Sequence, residues 1–439
     1  MAPTKLFAST GRPIMQSASP QMHNASFAAC SINAVYTRLA AGSMEEALET
    51  AKQLGMPGLN VTAPFKQDAC RLADSLDSNA RATGSVNTLL ISPRGKTRGF
   101  NTDVEGVEGA LEAAGVHLFG ATAVVLGAGG AARAAAYALC KSGASVTVAN
   151  RTIGKAKEIA SCFGCSYCSL SEKSLGKALQ RAQVIVSTLS TKERVVPLHL
   201  LKKGTFLLDA FYSSETLLSQ DAAKAGCKVI NGREWLLHQG AAAFTLFTKK
   251  HAPRAAMKRA LHGAFGKPKK KNIALIGFMG SGKSTAALLL GKKFGMRVLD
   301  TDNMVERRAG MKISPIFEKH GEACFRALEA SAVKEACAKK GSVLSLGGGA
   351  MLDQKSARLI KDSCIVVWLW ASADEALMRL KGDASRPLLN RKSRLQHARR
   401  MLRDRIPAYA VCADLIIGTE GKTANEVADA IVDETAARR

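Results

Sequence analysis

Aromatic residues are scarce in this sequence: Phe, Trp and Tyr together make up 5% of its 439 residues. Proteins that bind single-stranded nucleic acids stack the bases on aromatic side chains, and no basic stretch here alternates with such residues. We therefore expect no nucleic-acid partner, although 62 Lys and Arg against 36 Asp and Glu give a formal net charge of +26. A positive field of this size also attracts small anionic substrates and phosphates.

Long apolar runs are missing as well. No stretch approaches the roughly 18 residues of a membrane-spanning helix, and residues 1–13 lack the basic start and apolar core of a secretory signal. The 11 cysteines are an odd number scattered through apolar segments, which is typical of reduced thiols. These absences predict a cytoplasmic protein without a membrane partner, and they leave the oligomeric state open.

The chain is longer than one hydrophobic core usually organises, so we expect two or three domains. The clearest break is 266–272, GKPKKKN, where Gly and Pro interrupt regular structure and four lysines repel one another. On each side of this predicted linker an apolar strand leads into a glycine-rich turn and a helix, beginning near Ala121 and Ile273. That order predicts parallel, doubly wound α/β sheets.

The first glycine-rich turn has the G-x-G-x-x-A spacing from Gly127 and indicates a dinucleotide whose pyrophosphate lies at a helix N-terminus. The next strand, predicted over 145–149, ends where an NAD enzyme places a carboxylate for the ribose hydroxyl. Arg151 stands there instead, and its planar guanidinium suits a 2′-phosphate, which predicts NADP(H). The predicted cofactor contacts are Gly127, Gly129, Gly130, Ala131, Asn150, Arg151 and Thr152.

Four short polar clusters precede this turn, each at the edge of an apolar segment: S-A-S-P from Ser17, N-V-T-A-P-F-K from Asn60, Asn87-Thr88, and N-T-D from Asn101. Hydroxyl and amide groups in this number suit a polyhydroxylated ring. Lys66 and Asp103 offer a proton donor and a hydroxyl anchor for carbonyl reduction. Taken singly, any of these residues also suits a turn or a helix cap.

Together the blocks S-x-S-P, N-V-T-x-P-x-K, N-T, N-T-D, G-A-G-G-A and N-R-T resemble shikimate dehydrogenases over roughly 6–250. The resemblance implies a substrate domain, 1–102 plus 235–265, and an NADP domain, 103–234. Lys66 is implied as the acid–base residue, with Asp103 as the second catalytic residue. The implied substrate contacts are Ser17 and Ser19 on the carboxylate, and Thr62, Asn87 and Gln239.

Two departures from that family pattern stand near these residues. Gln16 replaces a usual histidine before the first serine, and Tyr212-Ser213-Ser214 replaces the common Tyr-Asn-Pro near the nicotinamide. Neither departure removes a residue that the resemblance assigns to chemistry.

The second glycine-rich turn, G-x-x-x-x-G-K-S from Gly277, is a phosphate-binding loop between a strand and a helix. Lys283 is expected to reach the terminal phosphates of ATP. The next strand ends in D-T-D, which places one carboxylate near the magnesium and one where it can take a hydroxyl proton. The predicted nucleotide contacts are Gly280, Ser281, Gly282, Ser284 and Thr285, and the predicted Mg²⁺ ligands are Ser284 and Asp300.

The residues that follow resemble shikimate kinases over roughly 272–435: Phe325-Arg326 with Glu329, Gly347-Gly348-Gly349, S-R-P-L-L from Ser385, and Arg405 with Tyr409. The resemblance implies a kinase domain over 273–439. It assigns the substrate carboxylate to Arg326, Gly348, Gly349 and Arg405. It also implies that Asp302 holds the ring hydroxyls and that Arg386 is a lid residue over the nucleotide. The predicted catalytic residues of this domain are Asp302 and Lys283.

The sequence therefore predicts an α/β protein of two modules, a two-domain dehydrogenase with a Rossmann domain and a P-loop kinase with a parallel sheet. The expected reactions are NADPH-dependent reduction of 3-dehydroshikimate and ATP-dependent phosphorylation of shikimate. One alternative is a quinate/shikimate dehydrogenase fused to a small-molecule kinase. Another is a non-catalytic nucleic-acid-binding protein, which Lys66, Asp103, Lys283 and Asp302 disfavour.

Overall fold

The computed structural model describes residues 4–189, 193–264, 270–380 and 394–436. Its strands are β1 (Lys5–Gly11), β2 (Ala34–Ala40), β3 (Gly58–Val61), β4 (Ser75–Leu76), β5 (Thr88–Ile91), β6 (Thr97–Phe100), β7 (Thr122–Leu126), β8 (Ser145–Asn150), β9 (Ser166–Ser169), β10 (Val184–Ser187), β11 (Phe206–Asp209), β12 (Lys228–Ile230), β13 (Asn272–Ile276), β14 (Arg297–Asp300), β15 (Ser342–Ser345), β16 (Cys364–Trp370) and β17 (Leu415–Gly418).

The α-helices are α1 (Ser19–Ala29), α2 (Met44–Gln53), α3 (Lys66–Leu72), α4 (Ser78–Thr83), α5 (Asp103–Ala113), α6 (Gly130–Lys141), α7 (Ile153–Phe163), α8 (Glu172–Leu179), α9 (Leu217–Lys224), α10 (Gly232–Thr248), α11 (Arg254–His262), α12 (Lys283–Phe294), α13 (Thr301–Ala309), α14 (Ile313–Ala338), α15 (Gln354–Ser363), α16 (Ala373–Arg379), α17 (Arg394–Cys412) and α18 (Ala424–Thr435). A short 3₁₀ helix covers Leu198–Leu200.

The chain divides into two compact units. The first unit contains Met1–Pro20, Asn33–Met56 and Lys267–Arg439, and the second contains Gln21–Ile32 and Pro57–Gly266. Each unit is built on parallel β-sheet, so each has an edge at which the carboxyl ends of its strands meet.

In the first unit the strands lie in the order β14-β15-β13-β16-β17-β2-β1, and every neighbouring pair is parallel. Such sheets are covered on both faces and read as continuous apolar runs. The strand β16, CIVVWLW, is buried at every position. The helices α12 and α18 contribute Ala287, Leu290 and Ile431 to the core on one face of this sheet.

The second unit contains a parallel sheet in the order β12-β11-β10-β7-β8-β9. Numbered from β7, this is the strand order of a dinucleotide-binding Rossmann domain. A separate part of this unit orders its strands β3-β5-β6-β4, with β5 antiparallel to both β3 and β6. Buried alanines of α6 lie close against the parallel sheet because their side chains are small.

The predicted α/β class with parallel sheets is confirmed. The proposed domain limits 1–102 plus 235–265, 103–234, 266–272 and 273–439 stay predictions. Of the predicted linker, 266–269 lies outside the described residues, whereas Asn272 is the first residue of β13. Among the described residues, no helix has the length and apolarity needed to cross a membrane.

Candidate active sites

Two helix N-termini in the second unit bring Lys66 and Asp103 together. Each residue is the first of its helix, and the Lys66 Nζ to Asp103 Oδ2 distance is 2.5 Å. The two side chains are only 14% and 10% exposed, so water screens this ion pair weakly. A largely buried ammonium with a carboxylate beside it can donate a proton and bind a hydroxyl group.

A network of side-chain hydrogen bonds holds Asp103 in place. The Asn87 Oδ1 atom accepts the Thr102 N–H at 2.8 Å, and Asn101 Oδ1 accepts the Asp103 N–H at 3.1 Å. Asn87 is itself buried, and Asn60 Nδ2 donates to its carbonyl at 3.3 Å. The amides that the sequence grouped in separate clusters therefore form one network beside the ion pair.

Gln239 enters this network because α10 packs closely against α5 at Gly106. A Cβ at Gly106 would fall 2.5 Å from the Trp235 ring, so only glycine permits this approach. Asn87 Nδ2 and Thr102 Oγ1 each donate to Gln239 Oε1 at 3.4 Å. The structure thus brings Lys66, Asp103, Asn87 and Gln239 together.

Among the described residues, the Thr62 side chain makes no hydrogen bond to this network, although the neighbouring Val61 N–H donates to the Asn87 carbonyl at 2.7 Å. Thr62 is exposed, and its backbone carbonyl accepts the Phe65 N–H at 3.1 Å, in the turn that leads into α3. Its predicted substrate contact stays a prediction.

The predicted dinucleotide turn joins β7 to α6 in the same unit. Gly127 has a φ of 113°, and a Cβ there would lie 2.3 Å from Thr188 Oγ1. Gly129 precedes the first residue of α6, and a Cβ at Gly129 would meet no atom within 4 Å. This open space in front of a helix N-terminus fits a pyrophosphate. Ala131 follows in the first turn of the helix.

The dinucleotide turn lies beside the ion pair. A Cβ at Gly130 would be 3.5 Å from Lys66 Cδ and 3.3 Å from Ser85 Oγ. Ser85 Oγ is buried without a hydrogen-bond partner in the described structure. A nicotinamide cofactor on this turn would therefore lie near the Lys66 side chain.

Arg151 follows β8, the strand that neighbours β7, and its side chain is exposed. Asn150 Nδ2 donates to the Thr152 carbonyl at 3.0 Å, which shapes the turn before α7. Positions 150–152 hold no acidic residue, so a 2′-phosphate would meet a cation rather than a carboxylate. The residues present fit NADP(H).

Ser17 and Ser19 belong to the first unit and are buried. Ser17 Oγ accepts the Ser19 N–H at 3.3 Å and lies 3.5 Å from Ser9 Oγ. Burial raises the pKa of Tyr36, whose hydroxyl is bonded to Ser9 and Ser19. A neutral hydroxyl group at this place can donate a hydrogen bond, as the two serines can.

The phosphate-binding loop of the first unit joins β13 to α12. Gly282 has a φ of 86°, and a Cβ there would meet no atom within 4 Å, so the space before α12 is open. Ser281 Oγ is buried without a partner in the described structure. Lys283 Nζ donates to the Gly277 and Phe278 carbonyls at 3.0 and 2.9 Å. Open backbone amides with a lysine across the loop fit nucleotide phosphates.

Oxygen atoms for a divalent cation lie next to this loop. Ser284 Oγ donates to Asp300 Oδ2 at 2.9 Å and lies 3.2 Å from Ser345 Oγ. Hydroxyl and carboxylate oxygens are ligands that Mg²⁺ prefers, so Ser284 and Asp300 fit that ion.

Arg326, the acids Asp302 and Glu329, and the glycine turn at 348–349 line the same cleft as the phosphate-binding loop. Arg326 donates to Glu329 Oε2 at 2.7 Å, and Glu329 is only 6% exposed. A Cβ at Gly347 would lie 2.7 Å from both Asp302 Oδ1 and Glu329 Oε1. Burial raises the pKa of Glu329, although the charge of Arg326 opposes that shift.

Arg405 approaches the same glycine turn from α17. A Cβ at Gly348 would lie 3.1 Å from one Arg405 nitrogen, and a Cβ at Gly349 would lie within the Arg326 guanidinium. The Tyr409 hydroxyl donates to the Gly348 carbonyl at 2.6 Å. Two guanidinium groups thus flank one glycine turn, an arrangement suited to a carboxylate.

These residues line one cleft of about 610 Å³. The predicted residues found along it are Gly280, Gly282, Lys283, Ser284, Thr285, Asp300, Asp302, Arg326, Gly348, Gly349 and Arg405. Ser281 is buried beneath the loop, and Arg386 lies outside the described residues.

Comparisons with known proteins match both glycine turns to enzymes. The shikimate dehydrogenase (NADP(+)) of Moorella thermoacetica is 38% identical over 281 residues, which are 60% of this chain and 95% of that protein. The Halobacterium salinarum enzyme of the same name is 43% identical over 259 residues, 57% of this chain and 96% of its own. The chain belongs to the shikimate dehydrogenase family.

Family models divide the chain further. The matches are 10–89 to the shikimate dehydrogenase substrate binding domain, 109–207 to shikimate / quinate 5-dehydrogenase, 232–262 to the shikimate 5′-dehydrogenase C-terminal domain, and 279–436 to shikimate kinase. The chain thus combines a shikimate dehydrogenase module with a shikimate kinase module.

Solved structures resemble the dehydrogenase module. Shikimate dehydrogenase of Aquifex aeolicus matches with a TM-score of 0.56 at 33% identity. The match covers 60% of this chain and 98% of the Aquifex chain. The Thermus thermophilus enzyme, solved with NADP(H) and shikimate, has a TM-score of 0.54 at 32% identity and covers 60% and 100%.

Two residues that the structure places in these sites had no predicted role. Glu329 was part of the shikimate kinase pattern, and its spacing of three from Arg326 on a helix is the signal for an ion pair. Ser85 carried no local signal, because only the fold brings it beside the glycine turn of the shikimate dehydrogenase module.

Proposed function

We propose that this chain reduces 3-dehydroshikimate to shikimate with NADPH and phosphorylates shikimate with ATP to shikimate 3-phosphate. The observation that carries the proposal is that each module pairs an anion-binding glycine turn with a proton-transfer group. Lys66 and Asp103 lie beside the dinucleotide turn, and Asp302 lines the cleft of the phosphate-binding loop. The proposed partners of the chain are small-molecule substrates, 3-dehydroshikimate and shikimate.

In the dehydrogenase module, Lys66 donates a proton to the ketone oxygen as the carbonyl is reduced. NADPH, when bound, supplies the hydride to the carbonyl carbon. The Asp103 carboxylate keeps the ammonium of Lys66 within reach and accepts a hydrogen bond from a ring hydroxyl. Asn87 and Gln239 bind further ring oxygens through the amides of their shared network.

Ser17, Ser19 and Thr62 complete the substrate contacts by resemblance to the family. The buried hydroxyls of Ser17 and Ser19 bind the carboxylate of the substrate by donating hydrogen bonds. Arg151, Asn150 and Thr152 bind the 2′-phosphate side of NADP(H). The glycine turn from Gly127 to Ala131 takes the pyrophosphate.

In the kinase module, Asp302 accepts the proton of the attacking hydroxyl. Lys283 and the loop amides hold the phosphate oxygens of ATP, and Ser284 and Asp300 bind Mg²⁺, which neutralises phosphate charge when present. Arg326 and Arg405 bind the shikimate carboxylate beside Gly348 and Gly349. Glu329 keeps the Arg326 guanidinium at this turn.

We place the protein in the cytoplasm. All 11 cysteines lie among the described residues and none forms a disulfide, as a reducing compartment requires.

One assay tests the proposed function. The purified chain is given 3-dehydroshikimate, NADPH and Mg-ATP, and NADPH loss and ADP release are followed together. We expect one ADP for each NADPH when shikimate is supplied only by the first reaction. Release of ADP without NADPH loss, or no reaction of either kind, would contradict the proposal.

Quinate is a second candidate substrate, because the family model over 109–207 describes both shikimate and quinate dehydrogenases. That alternative predicts faster oxidation of quinate with NAD than of shikimate with NADP. Comparing the two oxidations on one preparation decides between them.

A further inference from the structure

Residues of both modules share the sheet of the first unit. The kinase strand β17 pairs in parallel with β2, so that Ile416 lies opposite Leu39. Thr37 Oγ1 also donates to the Ala413 carbonyl at 2.8 Å. The dehydrogenase segment of β2 therefore covers backbone groups of β17 that an exposed sheet edge would leave unpaired.

Glu434, near the end of the kinase helix α18, contacts the other module through its carboxylate. One atom, Glu434 Oε2, accepts the backbone N–H groups of both Ile14 and Met15 at 2.8 Å. Glu434 is 5% exposed, and the side chains of Ile14 and Met15 belong to the same core as the α18 residue Ile431. Burial raises the pKa of Glu434, and the two backbone donors oppose that shift.

Ile14 and Met15 begin a short segment, 14–19, which we call the serine loop. The Ser17 N–H donates to the Ile14 carbonyl at 3.0 Å, so the fixed start of the loop sets the place of Ser17. In the middle of the loop, Arg38 donates to the Ser17 carbonyl through Nε at 3.0 Å and through a terminal nitrogen at 2.5 Å. Arg38 also donates to the Asp414 carbonyl of the kinase module at 3.2 Å.

We infer that Glu434 of the kinase module is a positioning residue for the dehydrogenase, because it fixes the serine loop that carries Ser17 and Ser19. The inference rests on the carboxylate-binding role proposed above for these two serines. Two backbone N–H groups meet one buried carboxylate, and removing that acceptor leaves both donors without a partner in the core. The loop then shifts, and the hydroxyls of Ser17 and Ser19 no longer converge on the substrate carboxylate.

The test uses the full chain with the substitution Glu434→Ala. We expect the KM for 3-dehydroshikimate to rise about 10-fold, the scale of one or two lost buried hydrogen bonds, with kcat changed by less than about 3-fold. The KM for NADPH and both kinase substrates should stay at the wild-type values, because their predicted contacts lie elsewhere. Glu434→Gln keeps an acceptor oxygen at the same place and should restore most of the affinity.

Asp433→Ala is the matched control on the same helix. Asp433 pairs with Arg12 at 3.3 Å, but both side chains are more than half exposed, so this pair contributes little. If Asp433→Ala raised the KM for 3-dehydroshikimate as much as Glu434→Ala, the specific role of Glu434 would be refuted.

Retained kinase activity shows that a variant chain is folded. An unchanged KM for 3-dehydroshikimate in a kinase-active Glu434→Ala chain, or an equal loss of both activities, would overturn the inference. Should Glu434→Ala fail to fold, Glu434→Asp, which draws the carboxylate back by one methylene, must show the same selective rise in KM or the inference fails. No ketone reduction by the unsubstituted chain would instead overturn the proposed function.

Discussion

Lys66 and Asp103 form a 2.5 Å ion pair although 37 residues separate them in the chain. Each is the first residue of a helix, so the two side chains leave separate helix N-termini and meet in the same largely buried place. Asp103 is also fixed through its backbone, because Asn101 Oδ1 accepts the Asp103 N–H at 3.1 Å. The pair is therefore a preformed feature of the second unit.

Replacing Asp103 with Asn removes the negative charge but keeps the size and shape of the side chain. The amide still bonds the Lys66 ammonium but no longer balances its charge, so kcat for 3-dehydroshikimate reduction should fall about 100-fold. Steady-state kinetics on both reactions measure this. Kinase turnover in the same chain should not change, and Asp68→Asn, whose carboxylate pairs with Arg71 on α3, should leave both activities intact. Near wild-type reduction by Asp103→Asn would remove Asp103 from the catalytic pair.

Arg151→Ala should raise the KM for NADPH but not the KM for NADH. Loss of a charge-assisted hydrogen bond to the 2′-phosphate should raise the KM for NADPH about 10-fold or more while the KM for NADH stays constant. Lys157→Ala, which removes an exposed cation of the helix that follows Arg151, is the control. An equal rise for both cofactors would contradict the 2′-phosphate assignment.

Substitutions of the two acids that pair with Arg326 should change the kinase KM for shikimate to different extents. Glu329 is 6% exposed and Glu322 is 67% exposed, so only the first is a buried partner of the guanidinium. Glu329→Gln should raise the kinase KM for shikimate about 10-fold, because it weakens a buried charge pair, whereas Glu322→Gln should change it less than about 2-fold. Shikimate titrations with each variant compare them. Equal effects would show that burial of Glu329 does not matter to the site.

Acid should destabilise the second unit through His23. Burial against Phe27 and Phe244 lowers the pKa of His23 to about 3, from an ordinary value near 6.5. Between these values the unfolded chain binds a proton that the folded chain does not, so stability falls as pH falls through that window. Between about pH 7.5 and 5, the unfolding free energy of the wild-type chain should therefore fall by about 2 kcal/mol more than that of His23→Leu.

Urea unfolding at the two pH values measures this difference. The exposed residue His251, changed to Gln, is the control and should leave the pH dependence as in the wild-type chain. If His23→Leu and wild type lose stability in parallel, another group is responsible for the acid sensitivity.

Local spacing was enough to predict both glycine-rich turns between a strand and a helix. The strands and helices around Gly127 and Gly282 follow one another within about 30 residues, and a positive φ at each glycine is a property of the turn itself. The pairing of Lys66 with Asp103 was predicted from their side-chain chemistry and from the family resemblance, since no local rule links positions so far apart. Their roles stay predictions until the kinetics are measured.

Contacts between distant segments had no signal in the sequence. Glu434 and Ile14 are 420 residues apart, and a lone glutamate near the end of an amphipathic helix normally faces water. The pairing of β2 with β17 joins the two segments in one sheet, and Ile14 and Ile431 share one core. His23 is similar, because nothing in the spacing of α1 says which aromatic rings of α10 will cover it.

Two variant chains, each blocked at one of the two reactions, show whether the two sites act independently. Lys66→Ala and Lys283→Ala are each supplied with 3-dehydroshikimate, NADPH and Mg-ATP, and the products are separated. We predict that Lys283→Ala consumes NADPH and accumulates shikimate without ADP, while Lys66→Ala makes neither product but phosphorylates added shikimate at the wild-type rate. Loss of both reactions in either chain, or shikimate 3-phosphate formed from 3-dehydroshikimate by Lys66→Ala, would contradict two independent sites on one chain.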